Sequence, residues 1–103
     1  MAYSKKQILK LENEINTNVP LLALPTSNLI KQLKNSGIQI KITEQLKIDK
    51  VVFSKKDFDI YCSFYLTEAK MAVFTSIVNL SFIDKGPIFE QIIQFQAWDG
   101  IIR

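Results

Sequence analysis

No histidine occurs in the 103 residues, arginine occurs once (Arg103), cysteine once (Cys62), and glycine and proline three times each. Each scarcity removes a class of chemistry. Without imidazole there is no ready general base or nitrogen metal ligand, and neither a Ser-His nor a Cys-His nucleophile pair can form. Three scattered glycines supply none of the Gly-rich fingerprints that cradle phosphate. A single cysteine makes no internal disulfide, which fits a reducing compartment. The apolar uncharged run at residues 71–83 has 13 residues, short of the roughly 17 to 25 that span a bilayer. The opening "MAYSKKQILKLENE" lacks the apolar stretch of a signal peptide. These features predict a cytoplasmic protein without a membrane partner.

What is present reads as a single domain over residues 1–103. Hydrophobic residues make up 48% of the chain, enough for a core without disulfides or metals. The net charge of +3 is unevenly spread: residues 1–56 hold ten lysines against four acids, and residues 57–103 hold three cations against six acids.

Apolar residues at Ile8, Leu11 and Ile15 have helical spacing over residues 4–16, and Ser4 with Gln7 forms a capping box. Pro20 and Pro25 stop that helix, so "VPLLAL" reads as a linker pressed onto the core. A second short helix is predicted over residues 27–35, with Thr26 or Ser27 as its cap and Gly37 just past its end. From Gly37 the period becomes two. Ile38, Ile40, Ile42, Leu46 and Ile48 predict one strand face, with a bend near Glu44. A short strand then leads into "DFDIYCSFYL", where Phe58, Ile60, Cys62, Phe64 and Leu66 face the core. Residues 71–83 read as a further long strand, apolar on both rows.

Residues 88–98 admit two patterns. As a strand they bury Phe89, Ile93, Phe95 and Ala97; as a helix, Phe89, Ile92, Ile93 and Ala97, with Pro87 suited to a first turn. A meander needs no long crossover, so the strand is preferred, with Asp99 and Gly100 breaking it before an "IIR" tail. The predicted fold class is α+β: two short N-terminal helices followed by an antiparallel meander of about four strands. A cystatin-like arrangement, with a helix cradled by a bent sheet, would satisfy this order.

Few residues suggest chemistry. Cys62 lies in the inward row, where burial shields a thiol. Asp57 and Asp59, with Asp84 or Glu90 as a third member, offer too few oxygens for a hard cation. The chain therefore reads as non-enzymatic, with no catalytic residue, metal or cofactor. Its outward row carries Tyr61 and Tyr65, and two short helices cover one sheet face at most. Tyr61, Tyr65, Trp98 and Ile77 are accordingly expected to meet a partner, either a second copy of the chain or another protein. Cover by the linker and tail, or an apolar ligand between helices and sheet, would serve the same need. The alternative function is weak, sequence-blind nucleic-acid binding through Lys5, Lys6, Lys10, Lys31, Lys34, Lys41 and Lys47. Scarce arginine and aromatics concentrated in the acidic half speak against a sequence reader.

Overall fold

The computed structural model describes residues 2–83 and 86–102. Asp84, Lys85 and Arg103, to which the sequence assigned a turn and a tail, lie outside the described residues. The fold is α+β, with three α-helices and two small antiparallel sheets of three strands each among the described residues.

Helix α1, Lys5–Asn16, begins as its sequence requires. Ser4 Oγ accepts from the Gln7 N–H at 3.2 Å, and Gln7 Oε1 accepts from the Ser4 N–H at 2.8 Å. Two otherwise orphaned donors are thus satisfied reciprocally. Its buried stripe is Ile8, Leu11 and Ile15. Helix α2, Ser27–Asn35, is capped by Thr26, whose hydroxyl accepts from the Leu29 N–H at 3.3 Å. It ends where Gly37 takes a φ of +81°. The Ile38 N–H then returns to the Leu33 carbonyl at 2.8 Å, and the Gly37 N–H to that of Lys34 at 3.0 Å. That is a Schellman closure, which favours glycine at the left-handed position.

Between the helices, "LLALP" is a strand rather than a linker. β1, Leu21–Pro25, buries Leu21, Ala23 and Pro25 and is the central strand of its sheet. It pairs with β2, Leu46–Ile48, on one side and with β6, Leu80–Phe82, on the other. The second sheet contains β3, Lys50–Ser54, then β4, Asp59–Leu66, then β5, Met71–Ser76, in that order. Only Asp49 separates β2 from β3, and only the 3₁₀ turn Ile77–Asn79 separates β5 from β6. Two segments of chain therefore each begin in one sheet and end in the other, making the corners through which β1 and β4 are linked into a closed circuit.

This layout departs from a four-strand meander cradling a helix in four places. Besides the strand at 21–25, residues 38–45 do not join a strand. Of residues 38–48 only Leu46–Ile48 pair with β1, and Ile42 is left 62% exposed. The run at 71–83 is broken because Ser76 Oγ accepts from the Val78 N–H at 3.4 Å, capping the turn that carries the chain from β4 to β1. Finally, residues 88–98 belong to helix α3, Pro87–Ile102, which continues through Asp99 and Gly100. Its buried positions, Ile88, Ile92, Phe95 and Asp99, recur every three or four residues, the period of a helix face. Gln96 Nε2 fastens it to the corner, donating at 2.7 Å to the carbonyls of both Ile77 and Leu80. Among the described residues no helix is long and apolar enough to cross a membrane.

Candidate interaction surface

In β4 the alternation of the sequence becomes two faces. Ile60, Cys62, Phe64 and Leu66 are buried in the core. The opposite row is graded: Asp59 and Ser63 are buried, Tyr61 is half-buried and Tyr65 is 56% exposed. Register supplies its neighbours. Tyr61 lies opposite Val52 of β3 and Ser76 of β5, Ser63 opposite Lys50 and Phe74, and Tyr65 opposite Ala72. Residues directly opposite in an antiparallel pair share a face, and diagonal neighbours lie within reach of an aromatic ring. Phe74, also 56% exposed, is the diagonal neighbour of Tyr65. The open end of this face therefore holds Tyr65, Ala72 and Phe74.

Hydrogen bonds fix the closed end. The Tyr61 hydroxyl donates to Asp57 Oδ2 at 2.9 Å, and the Asp57 N–H donates to Ser54 Oγ at 3.3 Å. The buried Asp59 carboxylate accepts from Ser76 Oγ at 2.6 Å and from the Ile60 N–H at 2.8 Å. The two aspartates thus hold separate hydrogen-bond sets, one at an exposed turn and one inside the sheet. Burial, and secondarily the Asp59 charge, pushes the Cys62 thiol pKa well up. Among the described residues no three Cys, Asp or Glu side chains come together as a metal cage would need.

The two outer edges of this sheet differ. β3 is covered by α1: Asn16 Nδ2 donates to the Val51 carbonyl at 2.9 Å, and Asn16 Oδ1 accepts from the Val51 N–H at 2.9 Å. One turn earlier, Glu12 Oε2 accepts from the Phe53 N–H at 2.5 Å. These side chains take the place of a neighbouring strand. Among the described residues β5 pairs with β4 alone and is the other edge. Its sequence "MAVFTS" carries no charge and no proline, the usual means of blunting an edge.

Of the four residues expected to meet a partner, Tyr61 and Tyr65 occur together on this face. Ile77 does not join them, being fully buried in the core. Trp98 lies on α3 inside an aromatic cluster, 5.1 Å from the Tyr3 ring, 5.6 Å from Phe95 and 6.5 Å from Phe58. By a period of two, Phe74 shares a row with Leu80 and Phe82, both of which are buried. The signal that identifies Phe74 is the tight turn at 67–70: it sets Leu66 opposite Met71, and counting back from there sets Ser63 opposite Phe74. All seven lysines of the nucleic-acid alternative are exposed. They are spread over α1, which packs on β3 and α3, α2, which packs on β1, the 38–45 loop and β2.

No protein-family model, curated protein or solved structure matches this chain.

Proposed function

We propose that the protein is a non-enzymatic interaction module that binds a second copy of itself through the open end of the β3–β4–β5 face and the adjoining edge of β5. The observation that carries this reading is the juxtaposition of Tyr65 and Phe74, each 56% exposed, with a strand edge free of charge and proline. Antiparallel pairing of two β5 strands about a two-fold axis would continue the sheet into a partner and shelter both aromatic pairs. Such an interface is isologous, so one surface serves both copies. Tyrosine and phenylalanine suit it because they bury large areas with few rotatable bonds.

The expected outcome in sedimentation or light scattering is a mass that rises from monomer to dimer between low micromolar and near-millimolar protein. Phe74→Lys, and separately Tyr61→Lys with Tyr65→Lys, should hold the chain monomeric with unchanged circular dichroism, since unpaired buried charge is costly. A wild type that is monomeric at near-millimolar concentration overturns the reading. The nucleic-acid alternative is supported by the exposure of Lys5, Lys6, Lys10, Lys31, Lys34, Lys41 and Lys47. It requires binding that collapses as salt is raised, with no sequence preference.

A further inference from the structure

The two sheets share a corner at Asp49, and on one side of it they separate. Lys50 is the first β3 residue paired with β4, opposite Ser63, and the Asp49 N–H reaches the Ser63 carbonyl at 3.1 Å. Before that point the chain leaves β4 as β2 and pairs instead with β1. Two strand borders are thereby left without a strand beside them among the described residues. One is the side of β2 away from β1; the other is the side of β4 away from β5, beyond Ser63. The space between them is a groove of about 650 Å³, within the range of pockets that hold ligands.

The lining of this groove has a definite chemistry. Leu46 and Leu66 are buried and give it an apolar floor, and Tyr65 lines it too. Glu44, Asp49 and Glu68 are exposed around it, against the single ammonium of Lys47. An excess of carboxylates beside apolar ground and open backbone borders suits one kind of occupant.

We propose that this groove receives an extended peptide segment from another protein, added beside β2 or the end of β4 as an extra strand and carrying basic side chains. Main-chain hydrogen bonds to an open strand border supply affinity in this mode, and alternate side chains supply specificity. With a rise of about 3.3 Å per residue, a three-residue strand such as β2 offers roughly 10 Å of border, so the paired core of the peptide is short. One row of its side chains meets Leu46 and Leu66, and the other, cationic, meets Glu44, Asp49 and Glu68. The like charge of the groove carboxylates also rejects acidic peptides. The site shares Tyr65 with the self-association face but lies on the side of β4 away from β5, and peptide binding there does not depend on self-association.

The test is an amide-resolved NMR titration of the full chain with two acetylated, amidated hexapeptides, one alternating valine with lysine and one alternating valine with glutamate. The lysine peptide should shift amides of residues 44–49 and 65–69 and bind more weakly as salt is raised, while the glutamate peptide leaves them unmoved. The double variant Glu44→Lys, Glu68→Lys should lose about tenfold or more in affinity. Both positions are exposed, and the neutral Glu68→Gln variant, with a smaller loss, guards against a folding effect. The Phe74→Lys variant should bind the lysine peptide as the wild type does. Three results overturn the proposal: no shifts at millimolar peptide, equal binding of both peptides, or shifts mapping to β5 instead of the groove.

Discussion

Asn16 and Glu12 carry more of the architecture than their polarity suggests. Each sits on the helix that flanks β3, and each uses a side chain to satisfy backbone groups of that strand: Val51 by Asn16 and Phe53 by Glu12. A backbone group left without its partner away from water costs about 1–3 kcal/mol. Asn16→Ala should therefore lower unfolding stability by about 1–3 kcal/mol in urea. Because it strips both bonds from Val51, it should also increase aggregation through the bared edge, read as light scattering. Cys62 shows the opposite case, a reactive group silenced by position. It is fully buried, and desolvation with the nearby Asp59 charge disfavours its thiolate. Native protein should leave an aqueous thiol reagent unreacted, and denatured protein should consume one equivalent per chain. The raised pKa has a sign for stability as well. Above the ordinary thiol value of 9.0 the unfolded chain loses a proton that the folded chain keeps. This contribution to stability is full at neutral pH and declines as pH rises, by up to about 1.4 kcal/mol per unit. Cys62→Val should remove that part of the alkaline loss in a urea-midpoint series.

Among the elements, the two outer strands of the second sheet are handled in contrasting ways. β3 has a helix whose side chains imitate a strand, while β5 presents its border beside Phe74. If self-association covers β5, its outward amides should exchange with deuterium rapidly in dilute protein and become protected near millimolar concentration. β3 amides should be indifferent to concentration. Protection of β5 that never changes with concentration would count against a second copy as its cover. Helix α3 is the other decisive element. It is apolar around much of its circumference, with Ile93 and Ile101 exposed as well as Ile88, Ile92 and Phe95 buried. An all-round pattern erases the contrast by which a helix is told from a strand.

At the scale of the molecule, the circuit of β1, β2–β3, β4 and β5–β6 explains why open surface occurs where it does. A segment that serves two sheets must leave one of them at its corner. At Asp49 the departure creates the groove between β2 and the end of β4. At the 3₁₀ turn, Gln96 of α3 fills the equivalent need by binding the carbonyls of Ile77 and Leu80. The same architecture thus closes one corner with its own helix and leaves the other with a mixed apolar and acidic groove.

Local chemistry determined a good part of this in the sequence alone. The capping box of Ser4 and Gln7, the Thr26 cap and the Gly37 stop each depend on residues within a few positions of one another, so they are legible in one dimension. The inward row of β4, including the buried Cys62, follows from a period of two and needs no knowledge of partners. The rest depended on which strands meet. "LLALP" becomes a central strand only because β2 and β6 both pair with it, overriding Pro20 before it and Pro25 at its end. Ile42 looks like a core position by period and is exposed because, among the described residues, no strand pairs with residues 38–45. Tyr65 and Phe74 became one surface through cross-strand register, and Ile77 and Trp98 left that surface when a turn carried Ile77 into the core and a helix carried Trp98 into the aromatic cluster packed against it. Capping and periodicity are properties of neighbouring residues; pairing, corners and open borders belong to segments distant in the chain, and only tertiary contact decides between them.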